Sequence, residues 1–261
     1  MPTRRRFMKS LSIPLATGLL GCGRAGKNDV AEGPTRPIAS RVPKDQKMSP
    51  SEFTTVGITL DGQPIDFDLP LLNRAHECDL KIEGVRRDRP KPESGFSYLG
   101  LNLESSPLGR AVYWCTPVNS IVFGGNGGDG FHFSFVVSGN RIDASSPIVG
   151  SAPDCYPPRD PKRANAILAA NFEDFLRLGL RRGYFDTYLF VHSLKDALDI
   201  YNPTGREATN LDNYPPLDHE TEIARNVANF LNLTPLGYTK SEFQKLQAKY
   251  KPLLKFNESQ D

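Results

Sequence analysis

At 261 residues with 38% apolar side chains, the chain is long enough for one sizeable hydrophobic core and has the composition of a folded protein. Its formal net charge is +2, but Arg4, Arg5, Arg6 and Lys9 stand together near the start without an acid, and taking those four away leaves −2 for the rest. A body so close to neutral has no cationic field with which to neutralise phosphates, which excludes nucleic acid as a partner.

The cationic start is followed by an apolar run from Leu11 to Leu20 and by small Gly21 before Cys22, the order of an export signal. About 20 apolar residues are needed to cross a bilayer as a stable helix, so this run suits a signal and is too short for a permanent span. The segment TRRRFMK, from Thr3 to Lys9, resembles the twin-arginine motif of exported folded proteins, and the resemblance implies that Arg4, Arg5, Phe7 and Lys9 are read by the exporter's receptor. Leu19-Leu20-Gly21-Cys22 resembles a bacterial lipobox, which implies cleavage before Cys22 and a lipid thioether on its sulfur. Several acyl chains at one residue anchor a protein firmly, because each buried methylene contributes about 0.8 kcal/mol and a single chain holds only marginally. Residues 1–22 are read as the signal. Residues 23–50, with Pro34, Pro37, Pro43 and Pro50 and few large apolar side chains, are read as a tether. The expected location is the cell envelope outside the cytoplasm, with the membrane reached through lipid on Cys22.

In the body, from about Ser51, Asp61-Gly62 is a turn dipeptide between short extended runs and predicts a hairpin. Leu69–Arg89 fits a helical face only in part, through Leu71, Leu72, Ala75 and Leu80, and is ambiguous. Beyond Pro90 and Pro92, strands are expected over Gly95–Leu103, Ala111–Cys115 and Ser120–Phe123. Phe131, Phe133, Phe135 and Val137 take every second position, which sets them on one face of a strand and into a core. Ser138-Gly139-Asn140 turns the chain, and Arg141–Asp143 with Pro147–Val149 continues an antiparallel meander.

Asn171 is a good N-cap, Glu173 and Asp174 suit a first helical turn, and Phe172, Phe175, Leu176, Gly179 and Leu180 form one stripe that stops at Gly183. A second helix is expected from about Tyr184 through Leu198, and two more over Asp218–Leu231 and Thr239–Leu254. The expected class is α+β, a mostly antiparallel sheet with helices packed on it and a helical C-terminal part. The organisation reads as an α+β domain over residues 51–205 and a helical extension over 206–261.

The stretch GGNGGDGFH, Gly124 to His132, admits four readings. It lacks the lysine and hydroxyl of a phosphate-binding P-loop, and a strand rather than a helix follows it, against a dinucleotide fingerprint. It fits the calcium-binding nonapeptide GGxGxDxUx, but that unit works only in stacked copies and no second is present. The fourth reading is a glycine-rich hairpin connection, whose tip can meet a partner through Asn126 and Asp129.

Phe123 to Phe135, FGGNGGDGFHFSF, followed by Leu168 to Leu178, LAANFEDFLRL, resembles the later half of the SUKH superfamily, known for bacterial immunity proteins. The resemblance implies an α+β fold and a role in binding a protein, such as a toxin, rather than in catalysis. No cofactor or metal is expected. The alternative is an envelope hydrolase in which Cys115, expected within a strand, pairs with His132. After Cys22 the remaining thiols, Cys78, Cys115 and Cys155, are odd in number, and no pairing among them is indicated.

Metabolic labelling with a palmitate analogue is expected to mark the wild type and to disappear in Cys22→Ala; equal labelling of both would rule out the lipid anchor.

Overall fold

The computed structural model describes residues 58–86, 89–104, 108, 113–128, 130–154, 160–202 and 218–257. The signal residues Arg4, Arg5, Phe7 and Lys9, together with Cys22, Asp129 and Cys155, lie outside them. The fold is α+β, and its centre is an antiparallel sheet of β6 (Asn102–Leu103), β7 (Ser120–Gly125), β8 (His132–Val136), β10 (Ile148–Ser151) and β11 (Asn165–Ala169), in the order β11-β10-β8-β7-β6.

Ahead of the sheet, β1 (Thr59–Leu60) and β2 (Gln63–Pro64) form the expected hairpin, with Asp61 and Gly62 both at positive φ as a primed turn requires. The ambiguous segment is a helix, α1 (Pro70–Lys81), which starts with a proline where no intrahelical N–H is needed and leads into the antiparallel pair β4 (Glu83–Arg86) and β5 (Arg89–Ser94). Its inward positions are Leu72, Ala75, His76 and Cys78, so a histidine and a cysteine fill places where the apolar stripe should continue, while Leu80 is exposed.

Three expectations for the strands are corrected. Gly95–Leu103 is not one strand: a single-turn helix, α2 (Gly95–Tyr98), precedes β6. The Asp79 carboxylate accepts the Phe96 N–H at 2.9 Å, and Phe96, Tyr98, Leu99 and Leu101 are all buried, which a strand with one inward face does not allow. Trp114 and Cys115 stand in a turn closed by the Thr116 N–H on the Tyr113 carbonyl at 3.1 Å. The Asn165 amide donates to the Cys115 carbonyl at 2.7 Å and fixes that turn against the sheet. Finally, β9 (Arg141–Ile142) leaves the meander and pairs in parallel with β3 (Asp66–Phe67). Gly139 and Asn140, both at positive φ, swing it off the sheet, and Arg141 meets the Asp143 carboxylate at 3.0 Å.

Helix α3 (Phe172–Arg182) follows its sequence signals closely. Asn171 accepts the Asp174 N–H at 2.8 Å, and Phe172, Phe175, Leu176 and Gly179 are buried, the two phenylalanines against Phe123 and Phe133 of the sheet. The helix expected from Tyr184 is broken instead: a 3-10 turn over Phe185–Tyr188, then α4 (Leu189–His192), then α5 (Leu194–Tyr201). The break falls at Ser193, whose backbone is non-helical and whose hydroxyl donates to Asp196 at 2.7 Å. The last two helices, α6 (Asp218–Leu231) and α7 (Lys240–Tyr250), stand where expected, the second with a full capping box between Thr239 and Glu242.

The sheet is buried on both faces. On one, Phe133 and Phe135 of β8 meet Phe123, Phe172 and Phe175, with ring centroids 4.4 Å apart for Phe123–Phe135 and 4.9 Å for Phe133–Phe175. On the other, Val136, Val149 and Ile167 pack with Leu254, Leu246, Tyr250 and Phe256 from α7 and the chain after it.

Phe133 has 0% exposure, so Phe133→Ala is expected to remove about 3–5 kcal/mol and lower the melting temperature by roughly 10 °C. Leu80→Ala, on the exposed side of α1, serves as the near-neutral control, and an unchanged melt for Phe133→Ala would overturn the packing.

Candidate functional site

Gly124 and Gly125 are the last residues of β7, opposite Phe133 and His132, so the glycine run is the connection of a hairpin. A Cβ at Gly124 would stand 2.6 Å from the Asn102 carbonyl oxygen of the neighbouring strand, and Gly127 and Gly130 have φ of +78° and +75°. Asn126 is buried. Its Oδ1 accepts the Gly128 N–H at 3.0 Å, and its Nδ2 donates to the Phe185 carbonyl at 3.4 Å. The side chain therefore shapes the turn and ties it to the segment after α3. Among the described residues, no group of three His, Cys, Asp or Glu side chains converges as a metal ion would need.

His132 sits beside this turn, also buried. Its Nδ1 lies 2.8 Å from the Gly130 carbonyl and its Nε2 2.9 Å from the Thr116 hydroxyl. A carbonyl only accepts, so Nδ1 carries the proton and Nε2 accepts from Thr116. Burial holds the imidazole pKa below its ordinary value, against a smaller upward pull from the Gly130 bond. The ring is thus neutral at pH 7 with both nitrogens engaged, and it offers no base to activate a thiol. Cys115 is fully buried, and neither it nor Cys78 is in a disulfide. Burial, and next the Asp79 carboxylate, push the Cys78 thiol up to about 12.

Around the turn the fold assembles an aromatic surface that no sequence motif announces. Tyr113 stacks on His132, with centroids 5.2 Å apart and planes at 20°, and its hydroxyl comes within 3.0 Å of where a Cβ on Gly130 would be. Pro153 is equally near that point, and its carbonyl accepts the Trp114 indole N–H at 3.0 Å. The next residue, Asp154, reaches His192 Nε2 at 3.4 Å, and the His192 ring lies 5.7 Å from Tyr188. Phe185, whose backbone carbonyl accepts from Asn126, lays its ring against Gly100. Tyr113, Phe185 and Tyr188 remain 46%, 42% and 38% exposed. Burial, followed by the carboxylates of Asp186, Asp154 and Asp196, pushes the Tyr188 phenol above its ordinary range, which marks the surface as acidic as well as aromatic.

In comparisons with known proteins, the chain matches no family model, no curated protein and no solved structure. No helix among the described residues is long and apolar enough to cross a membrane.

The enclosure of the two described thiols sets an expectation. At neutral pH a maleimide reagent modifies Cys78 and Cys115 only after denaturant is added, as read by peptide mass mapping. Rapid modification of Cys115 in the native protein would reopen the Cys/His hydrolase reading.

Proposed function

We propose that this protein is an exported, lipid-anchored binding protein of the cell envelope that docks a protein partner and catalyses no reaction. The observation that carries this reading is the exposure of Tyr113, Phe185 and Tyr188 on the segments that pack beside the glycine turn, in which the Asn126 side chain is used internally. Large aromatic side chains lose little conformational freedom on contact and dominate the energetics of protein interfaces. Tyr113, stacked on His132 in the turn before the hairpin, and Phe185 and Tyr188, on a 3-10 turn, are placed by the fold and so preorganised for docking. Asp154, Asp186 and Asp196 beside Tyr188 complement a partner segment bearing arginine or lysine.

Export and anchoring rest on Arg4, Arg5, Phe7, Lys9 and Cys22 at the spacing of a twin-arginine signal and a lipobox. The SUKH-like segments FGGNGGDGFHFSF and LAANFEDFLRL support an immunity role with a protein toxin as the partner. The hydrolase reading draws no support from His132, whose nitrogens are both bonded within the fold.

The full chain, used as bait in an envelope extract, is expected to enrich one protein over a signal-less control. Tyr188→Ala and Tyr113→Ala should weaken that capture by about 30-fold each, the scale of an interface hot spot, without lowering the melting temperature. Absence of any enriched protein, or capture unchanged in both variants, would overturn the proposal.

A further inference from the structure

Between the end of α3 and one face of α6 lies a cleft of about 440 Å³, within the range of small-molecule sites. Its lining has two chemical parts. Arg181, Arg182 and Arg225 contribute three guanidinium groups, and Leu99, Phe185 and Leu233 are among the apolar side chains that make up much of the remainder. Among the described residues that line it, none is an aspartate or glutamate. Asp186 on the adjoining 3-10 turn lies near Tyr201, as Arg182 does, but it is not part of the cleft wall.

The arginines are placed by the fold. Arg181 and Arg182 form the last turn of α3 and are half-buried, and Arg181 donates to the Asn202 carbonyl at 2.6 Å, which holds its guanidinium at the cleft. Burial lowers the Arg181 pKa from its ordinary value, the mark of a cation held where water hydrates it poorly. Arg225, on α6, is exposed at the cleft. A guanidinium fork matches a carboxylate or phosphate through paired hydrogen bonds, whereas apolar walls take up hydrocarbon.

We propose that this cleft binds an anionic amphiphile, a hydrocarbon chain ending in a carboxylate or phosphate. The head group lies among Arg181, Arg182 and Arg225, and the chain runs along the apolar wall of Leu99, Phe185 and Leu233. Such a ligand has two sources, a free fatty acid or an anionic membrane lipid. The cleft shares Phe185 with the partner surface, but its head-group site is the arginines, so its failure is read by ligand titration of Arg225 variants and the failure of the partner reading by capture with Tyr113 and Tyr188 variants.

The test uses the full chain carrying Cys22→Ala, which takes no lipid of its own. Laurate and lauryl phosphate, titrated calorimetrically below their micelle concentrations, are expected to bind at one saturable site. Dodecanol, which lacks the charge, and inorganic phosphate, which lacks the chain, should each bind at least about tenfold more weakly. Arg225→Glu should weaken laurate binding by at least about tenfold at an unchanged melting temperature, while Arg225→Lys keeps it within about threefold. If Arg225→Glu melts below its parent, Arg225→Gln takes its place in the comparison. Binding to phosphatidylglycerol vesicles that laurate displaces assigns a membrane lipid as the natural ligand, and laurate binding that such vesicles do not compete with assigns a free acid. The proposal is overturned if neither laurate nor lauryl phosphate binds, if dodecanol binds as tightly as laurate, or if folded Arg225→Glu or Arg225→Gln binds laurate as its parent does.

Discussion

The ring of Tyr184 occupies the space that a side chain at Gly179 would need: a Cβ there would come within 2.0 Å of it. The rest of the architecture depends on this contact. The phenol is fully buried, which raises its pKa well above the ordinary value, and its hydroxyl donates to the Leu176 carbonyl at 3.0 Å, so no polar group is left orphaned. The Tyr184 N–H donates to the Leu99 carbonyl at 2.7 Å, and the ring meets Phe175 at 5.1 Å, Phe96 at 6.2 Å and Phe133 at 6.3 Å. One residue thereby joins α3, the sheet and the segment around α2. Because Tyr184 is drawn inward, its neighbour Phe185 must emerge beside the glycine turn, and the chain enters a 3-10 turn that presents Tyr188. The aromatic surface is a by-product of how the core is closed.

Local signals were legible in the sequence wherever a single rule governed the residues. Helix α3 carried a cap, an acidic first turn, an apolar stripe and a glycine stop that all agreed, and β8 carried a strict alternation of phenylalanines. Where the structure departed, burial from several sides had erased the periodicity. Phe96, Tyr98, Leu99 and Leu101 point in different directions and are all covered. In β11 every residue is buried, leaving no alternation to read. The parallel pairing of β3 with β9 links residues far apart in sequence, and nothing local encodes it. The surface around Tyr113 and Tyr188 and the arginine cleft were illegible for the same reason, since each is assembled from elements that meet only in the fold. The aromatic density of YFDTYLF, Tyr184 to Phe190, was the one available hint: its large rings do not share a single helical stripe.

The glycine stretch shows how a motif and a structure diverge. Its letters fit a calcium-binding repeat, yet Gly124 is required by the close approach of β6, Gly127 and Gly130 by backbone conformation, and Asn126 by the turn it bonds. A single sequence pattern can satisfy two physical demands, and here the described geometry is that of a hairpin connection.

Gln247 of α7 accepts the Ile167 N–H at 3.0 Å and donates to the Ile167 carbonyl at 2.6 Å, so a side-chain amide takes the place of a neighbouring strand along β11. The same helix and the residues after it cover Val136, Val149 and Ile167. During synthesis, the sheet strands leave the ribosome before the helix that shields them. Until it arrives, one sheet edge and one apolar face stay open to adhesion, so this part of the fold closes only once α7 and the residues just after it have been made.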